Sequence, residues 1–459
     1  MTSMTSRRIF GTDGIRGKAG DGWLSEERVS ALGRAVGKIH LRHARVPESK
    51  TRPIAVLGHD GRESGPLLQE ALARGLVVAG FDVTSCGLIS SPGLALLTRM
   101  GEFGLGMMLS ASHNPAQDNG IKIFSQDGEK LLDSEELEIE TLLRTETEPE
   151  TKETTLAVNP ELERKYVDYL IGHAAKGLEL GGMQVVIDCA NGSGSHYAPL
   201  VLRRLGGEVE AIACAPDGRN INADCGSTHP ENLRELVGKS GAAIGIALDG
   251  DADRCILVDE RGELVDGDGI LTVIAQHAMR QEHWRDPRIV ATVMSNRGLY
   301  RAMDQVGVEV VECSVGDRAV VETLRREKLH LGGEQSGHII FGEDIHYVGD
   351  GLYTALRVLG VMRATGKSLS ELTAPFSAFP QVLLNIPVLS KPAISSLKEV
   401  CALVTQFEQK LAGNGRVLLR YSGTESLARV MVEGPEEIDI QAVAQEIATL
   451  LEKEIAASS

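Results

Sequence analysis

The chain has 459 residues, of which 42% are hydrophobic and 4% aromatic, and its formal net charge is −17. A protein this acidic does not use its overall field to hold nucleic acid or an anionic membrane, and no apolar run reaches membrane-spanning length. The first residues lack the apolar core of a signal peptide. The 7 cysteines form no C-x-x-C pair. We therefore expect a cytoplasmic protein without structural disulfides and without nucleic-acid or membrane partners.

Strands and helices alternate along the first third of the chain. "RPIAVLGHDGRESG" predicts a strand, a Gly-rich turn and a helix start, and "PLLQEALARGLVVAG" has helical spacing. "FDVTSCG" and "FGLGMMLSASHNP" follow as strands. This alternation indicates α/β layering with parallel strands. An acidic, Thr-rich stretch then predicts a domain boundary near residue 155.

The strand–glycine–helix plan recurs in the rest of the chain. It is visible in "MQVVIDCANGSGSHYAPLVLRRLGGEVEAI" and again in "RIVATVMSNRGLYRAMDQVGVEVVEC". Prolines near residue 375 accompany a change of pattern. Roughly the last 80 residues then predict strand, helix, strand, strand, helix, which is typical of a small α+β unit.

Three acidic residues alternate in "LDGDADR", between two predicted apolar strands. Small residues separate Asp249, Asp251 and Asp253, so the backbone can curl and the carboxylates can converge. Hard oxygen ligands at close range suit Mg²⁺. The Asp spacing also matches an EF-hand, but Arg254 stands where that turn requires glycine and both flanks predict strands. We predict a metal site at a strand's carboxyl end, with an acidic surface turn as the alternative.

A second polar loop, "SASHNP", follows another predicted strand. A serine beside an acidic metal site suggests phosphoryl chemistry, because a phosphoserine offers the metal an oxygen and the metal neutralises developing charge. His113 and Asn114 would orient polar groups. The alternative is a serine turn and helix cap built from Ser110 and Ser112.

A third loop, "GGEQSGHII", carries alternating polar residues. In an extended loop Glu334, Ser336 and His338 would face one way, which suits the hydroxyls of a sugar.

A fourth loop, "RYSGTES", combines an arginine, hydroxyls and a glycine. Backbone N–H groups and the guanidinium of Arg420 would form a nest for a phosphate dianion, with Arg429 assisting. An ordinary hairpin turn is the alternative. Arg16 in "FGTDGIRG" is available for similar use.

Five motifs occur in order along the chain: "FGTDGIRG", "SASHNPxxDNGIK", "DGDADR", "GEQSGH" and "RxSGTE". With them the chain resembles the α-D-phosphohexomutase family over essentially its full length, and most resembles the bacterial branch that isomerises glucosamine phosphates. The resemblance implies an α/β fold: three similar α/β domains with mixed sheets and a smaller C-terminal α+β domain around a central cleft. The expected domains are 1–155 with the phosphoserine loop, 156–258 with the metal loop, 259–373 with the sugar-binding loop, and 374–459 with the phosphate-binding loop.

The resemblance also implies roles for individual residues. The phosphoserine is Ser112, which joins the three aspartates as a ligand of one Mg²⁺ per chain. Arg16, Lys122 and Arg254 surround the reacting phosphate, and Lys122 or His338 acts as general acid or base. The expected substrate-binding residues are Glu334, Ser336, His338, Arg420, Ser422, Gly423, Thr424 and Arg429.

The reaction implied is an isomerisation of glucosamine 6-phosphate and glucosamine 1-phosphate, for amino-sugar nucleotide and peptidoglycan precursors. Phospho-Ser112 transfers its phosphoryl group to the free hydroxyl, a sugar bisphosphate forms as intermediate and activator, and the other phosphate returns to Ser112. The resemblance further implies a homodimer. The alternatives are a phosphomannomutase or phosphoglucomutase of the same mechanism, a metal-dependent sugar phosphatase, and a sugar-phosphate-binding regulator without turnover.

Overall fold

The computed structural model describes residues 8–11, 13–43, 52–101, 103–145, 154–281, 284, 286–342, 347–411, 413–422 and 426–457. Within them the helices are α1 (Glu26–His43), α2 (Gly65–Ala79), α3 (Ser91–Met100), α4 (Asp133–Thr145), α5 (Glu161–Tyr169), α6 (Tyr197–Arg204), α7 (Glu231–Ser240), α8 (Gly267–Ala278), α9 (Arg297–Val306), α10 (Asp317–Glu327), α11 (Gly351–Thr365), α12 (Leu369–Thr373), α13 (Lys398–Leu411) and α14 (Ile440–Ala457).

The strands are β1 (Ile15–Lys18), β2 (Ile54–His59), β3 (Asp82–Leu88), β4 (Phe103–Leu109), β5 (Asp118–Ser125), β6 (Gln184–Asp188), β7 (Glu208–Ile212), β8 (Ile244–Leu248), β9 (Cys255–Asp259), β10 (Leu264–Val265), β11 (Arg288–Thr292), β12 (Glu309–Cys313), β13 (Leu331–Gly333), β14 (Ile339–Phe341), β15 (Gln381–Pro387), β16 (Arg416–Tyr421) and β17 (Leu427–Glu433). The chain forms two compact units, one of residues up to Met294 with Val310–Ala374, and one of Ser295–Glu309 with residues from Pro375 onward.

Three sheets share one strand order, which reads β3-β2-β4-β5-β1, β7-β6-β8-β9-β10 and β12-β11-β13-β14. In each sheet the fourth strand in this order runs antiparallel to the third, and the parallel pairs lie among the first three strands. The predicted set of three similar α/β domains with mixed sheets is therefore confirmed. The domain boundaries at 155, 258 and 373 stay predictions.

Glycines let two helices of the first domain approach closely. A Cβ on Gly75 of α2 would lie 1.9 Å from the carbonyl oxygen of Ser30 in α1, and one on Gly33 would lie 2.5 Å from that of Leu72. Any larger residue would separate the helices. The adjacent strand β2 is buried over most of its length, as is typical of a strand with helices on both faces.

The second unit contains the C-terminal sheet, ordered β15-β17-β16 and fully antiparallel. Its order along the chain is strand, helix, strand, strand, helix, as predicted. Val430 and Val432 of β17 pack with Ala444 and Ile447 of α14 in its core. All seven cysteines are free thiols. In the described part of the chain, no helix has the length and apolar character needed to cross a membrane.

The strand order also positions the predicted functional loops. The serine loop joins β4 to β5, the acidic loop joins β8 to β9, and the "GEQSGH" loop joins β13 to β14. Each is therefore the same connection, between the third and fourth strands of its sheet. A repeated architecture thus brings a different polar loop to the corresponding edge of each sheet.

Candidate active site

The acidic loop begins directly after β8 and ends where β9 begins, as the predicted flanking strands require. Ala252 has a left-handed backbone (φ 55°), which helps the chain to reverse within six residues. Asp249, Asp251 and Asp253 are all buried, and their ligand atoms lie within 4.8 Å of one another. The convergence predicted from the sequence is therefore present.

The triad has the chemistry of a site for a hard cation. Asp251 Oδ1 and Asp253 Oδ1 are buried and accept no hydrogen bond from any described residue. Burial, together with Asp253 and Asp251, raises the pKa of Asp249 to about 8. A divalent cation would relieve this repulsion and take these two oxygens as ligands, so the residues fit Mg²⁺.

Two neighbouring segments hold the acidic loop through hydrogen bonds. Ser91 donates its hydroxyl to Asp251 Oδ2, and its backbone N–H lies 3.0 Å from Asp251 O. The backbone N–H of Ser193 donates to Gly250 O over 2.8 Å. A Cβ on Gly192 would lie 2.2 Å from Gly250 O, so only glycine permits this contact. The loop is therefore supported by one connection of the first sheet, at the start of α3, and by one of the second sheet, between β6 and α6.

The predicted nucleophile lies against the predicted metal loop. Ser112 is buried and donates its hydroxyl to Asp249 Oδ2 at 2.7 Å. It has a left-handed backbone (φ 52°), and its N–H donates to Ser110 Oγ at 2.8 Å. The serine turn that the sequence offered as an alternative is thus present. It orients the Ser112 hydroxyl toward Asp249.

Arg62, which the sequence interpretation missed, holds the serine loop in place. Its guanidinium donates to the backbone oxygens of Ser112 (3.0 Å), Asn114 (2.8 Å) and Asp118 (2.8 Å), and also to that of Pro115. Its Nε pairs with Asp60 at 2.9 Å, and both side chains are fully buried. Asn222, in the connection between β7 and α7, donates to the same Ser112 oxygen at 2.9 Å.

Three predicted cations surround the nucleophile and the triad. Lys122 Nζ lies 2.7 Å from Asp251 Oδ2 and 2.9 Å from Asp253 Oδ2. Although burial alone would lower the pKa of Lys122, the carboxylates beside it hold that pKa well above its ordinary value. Arg254 Nε lies 3.9 Å from Asp253 Oδ1, and Arg16 Nη1 donates to Asn114 Oδ1 at 3.4 Å. The predicted grouping of these cations is present.

The imidazole beside the nucleophile is neutral. His113 Nδ1 lies 3.4 Å from Ser112 Oγ. Burial, with the positive charges of Arg254 and Arg16, lowers the pKa of His113 to about 4. An uncharged ring therefore faces the serine hydroxyl near neutral pH.

The "GEQSGH" loop is a tight hairpin turn rather than the extended loop expected. Glu334 N donates to His338 O at 3.1 Å, and Gly337, with φ 87°, donates to Glu334 O at 3.0 Å. The expectation was wrong because Gly337 permits a left-handed turn. His338 Nδ1 nevertheless lies 3.7 Å from Asp253 Oδ1, and the buried Ser336 hydroxyl has no hydrogen-bond partner among described residues.

The predicted anion nest belongs to the second unit. Arg420 of β16 pairs in register with Arg429 of β17. Two guanidinium groups on directly opposite residues repel each other, and a bound anion would offset this repulsion. Ser422 is buried, and its N–H donates to Leu427 O at 2.8 Å. Gly423 and Thr424 lie outside the described residues.

Comparison with known sequences finds matches in four consecutive regions of the chain. Residues 7–150, 164–262, 266–379 and 383–450 match, respectively, the phosphoglucomutase/phosphomannomutase alpha/beta/alpha domains I, II and III and the C-terminal domain of that family. The chain belongs to the phosphoglucomutase/phosphomannomutase family.

Relatives within the family extend over nearly the whole chain. The phosphoglucosamine mutase of Syntrophotalea carbinolica is 44% identical over 458 residues, covering 98% of each chain. That of Symbiobacterium thermophilum is 45% identical over 453 residues, covering 98% of this chain and 99% of its own. The four-domain family and these relatives support the resemblance seen in the five motifs.

Solved structures confirm the fold. A phosphoglucomutase/phosphomannomutase family protein from Burkholderia thailandensis has a TM-score of 0.80 at 24% identity, covering 98% of each chain. The N-acetylphosphoglucosamine mutase of Aspergillus fumigatus, solved with GlcNAc-6P and magnesium, has a TM-score of 0.66 at 17% identity, covering 99% of this chain and 97% of its own.

Proposed function

We propose that this protein is a phosphohexomutase that interconverts glucosamine 6-phosphate and glucosamine 1-phosphate through a phosphoserine enzyme. The observation that carries the proposal is the hydrogen bond from Ser112 Oγ to Asp249, within a buried aspartate triad and beside Lys122. A serine in this setting is suited to carry a phosphoryl group, because cations and a metal site can neutralise its charge. The full-length relatives named phosphoglucosamine mutases support the same reaction.

The proposed reaction proceeds through two phosphoryl transfers. Phospho-Ser112 gives its phosphoryl group to the free hydroxyl of the bound monophosphate, which yields a sugar bisphosphate. The bisphosphate turns over, and its other phosphate returns to Ser112 to release the isomer. Arg16, Lys122 and Arg254 stabilise the negative charge on the phosphoryl oxygens during each transfer. Mg²⁺ held by Asp249, Asp251, Asp253 and the serine phosphate would supply Lewis-acid stabilisation of that charge.

The remaining roles extend the proposal to substrate recognition. Glu334, Ser336 and His338 bind the sugar, and either Lys122 or His338, both of which contact Asp253, is the general acid or base. The non-reacting phosphate is assigned to the nest of Arg420, Ser422, Gly423, Thr424 and Arg429. The enzyme would be cytoplasmic and a homodimer, with domains at 1–155, 156–258, 259–373 and 374–459.

Conversion of glucosamine 1-phosphate, followed by ³¹P NMR with Mg²⁺ and a trace of sugar bisphosphate, tests this function. The wild-type enzyme is expected to form glucosamine 6-phosphate, and Ser112→Ala is expected to form none. Ser125→Ala, at the end of β5, is the matched control and should retain activity.

The same assay separates the alternatives. Preference for mannose or glucose 1-phosphate would keep the mechanism and change the substrate. Release of inorganic phosphate faster than isomer formation would indicate a phosphatase. Full activity of Ser112→Ala would contradict the proposed nucleophile.

A further inference from the structure

One carboxylate outside the predicted site residues gathers three cations. Asp13, just before β1, has its Oδ2 2.5 Å from Arg16 Nη2 and 3.2 Å from Lys122 Nζ. Its Oδ1 accepts a hydrogen bond from Lys130 Nζ. Burial raises the pKa of Asp13, but Lys122, Lys130 and Arg16 together hold it well below its ordinary value. Asp13 is therefore an anion at the centre of the cationic group.

Lys130 connects this carboxylate to the third sheet. Its Nζ lies 2.5 Å from Asp317 Oδ2, at the first residue of α10. Asp317 Oδ2 in turn lies 3.9 Å from His338 Nε2, on the "GEQSGH" hairpin. The side chains of Lys130 and Asp317 are only 20% and 19% exposed, so solvent screens these contacts weakly.

The contacts close into a ring of six alternating charged or imidazole groups. Its members, in order, are Asp253, Lys122, Asp13, Lys130, Asp317 and His338. A closed ring restrains each long side chain from both ends, whereas an isolated ion pair restrains it from one. Removing one member would leave its neighbours free to adopt other rotamers.

The positions of these cations matter because phosphoryl transfer depends on how cations are placed relative to the transferring phosphate. Arg16, Lys122 and Lys130 carry like charges and repel each other. Among the described residues, only the Asp13 carboxylate is within ion-pair distance of all three. Without it, the guanidinium and ammonium groups would separate. A displacement of about 1 Å at a transferring group can cost about 100-fold in rate.

We propose that Asp13 and Lys130 are positioning residues, with Asp13 holding Arg16 and Lys122 at the reacting phosphate and Lys130 anchoring Asp13 to Asp317. The proposal rests on the proposed function, because Arg16 and Lys122 are assigned to the reacting phosphate there. Neither positioning residue needs to touch the substrate.

Steady-state kinetics of glucosamine 1-phosphate conversion with the full-length enzyme test the proposal. Asp13→Asn keeps the size of the side chain and removes its charge, and we expect kcat to fall by about 100-fold while KM changes by less than about threefold. Lys130→Met should lower kcat by about tenfold, and Lys130→Arg, which keeps the positive charge, should retain most of the wild-type kcat. The matched control is Glu129→Gln, which removes the neighbouring ion pair to Arg325 of α10 without touching Asp13. It should leave kcat and KM unchanged.

The double variant Asp13→Asn/Lys130→Met distinguishes positioning from two separate losses. Since Lys130 acts through Asp13, the double variant should be within about twofold of Asp13→Asn alone. Asp317→Asn, which removes the other anchor, should also lower kcat by about tenfold, and it carries the test if Asp13→Asn does not fold. Thermal melting identifies the folded variants.

Three results would overturn the proposal. The first is a wild-type kcat in folded Asp13→Asn. The second is a change in KM without a fall in kcat. The third is an equal fall of kcat in Glu129→Gln, which would show that Lys130 only links two segments of the chain. A wild-type enzyme that is inactive on every hexose phosphate would instead overturn the proposed function, and this inference with it.

Discussion

Replacing Arg62 with methionine tests whether the Arg62 guanidinium holds the serine loop in position. The substitution removes the four guanidinium bonds to backbone oxygens of residues 112–118 and leaves Asp60 buried without its partner. Breaking a buried ion pair on one side costs about 3–5 kcal/mol of folding free energy. Burial raises the pKa of Asp60 even though Arg62 lies beside it. We expect Arg62→Met to lower the unfolding free energy by about 3–5 kcal/mol.

A double variant separates stability from activity. In Asp60→Asn/Arg62→Met the unpaired charge is gone, so at least about 1 kcal/mol of stability should return. The loop that carries Ser112 still lacks its clamp, so mutase activity should stay about 100-fold below that of the wild type in both variants.

The assay combines urea unfolding with turnover. The two tryptophans, Trp23 and Trp284, both lie in the first unit, so their fluorescence reports the unit that contains Arg62. Wild-type kcat in a destabilised Arg62→Met would refute the reasoning, because it would show that Ser112 keeps its position without the clamp. Recovery of kcat in the double variant would refute it equally.

Three further predictions concern positions around the site. Gly192→Ala should weaken Mg²⁺ binding by about tenfold or more, measured by calorimetry, because its Cβ would lie 2.2 Å from Gly250 O; unchanged binding would contradict this. Burial lowers the pKa of His59 to about 4, so the unfolded state takes up a proton first as pH falls. The contribution of His59 to stability should therefore fall by about 2 kcal/mol between about pH 7 and about pH 5, and His59→Gln should remove that part of the slope in urea unfolding. Asp350 accepts from Tyr166 Oη (2.7 Å) and caps α11, so Asp350→Ala should cost about 1–2 kcal/mol in thermal unfolding, and an unchanged melting temperature would contradict the role.

The parts predicted from the sequence are those with a local signal. Alternating strands and helices identified the three α/β domains and the C-terminal unit, and the alternating aspartates at 249–253 identified a buried cluster. Their meeting with Ser112, 137 residues away, was implied by the resemblance to the α-D-phosphohexomutase family and not by a local signal in the loop.

The parts that the sequence did not reveal depend on long-range partners. Arg62 lies in "GHDGRESG", which predicts only a turn, and its acceptors follow about 50 residues later. Asp13 and Asp317 lie in the short motifs "FGTDGIRG" and "VGDR", yet only the folded chain brings them to Lys130. The prediction of an extended "GEQSGH" loop was wrong because a single left-handed glycine, Gly337, changes the direction of the chain.

The most direct test of the account follows the phosphoryl group itself. Enzyme carrying ³²P on Ser112 would be mixed with unlabelled glucosamine 6-phosphate and Mg²⁺, and quenched within the first turnover. The account predicts that the label leaves the protein and appears in the sugar bisphosphate and then in a sugar monophosphate. Label that stays on the protein while the substrate isomerises, or that appears as inorganic phosphate, would contradict it.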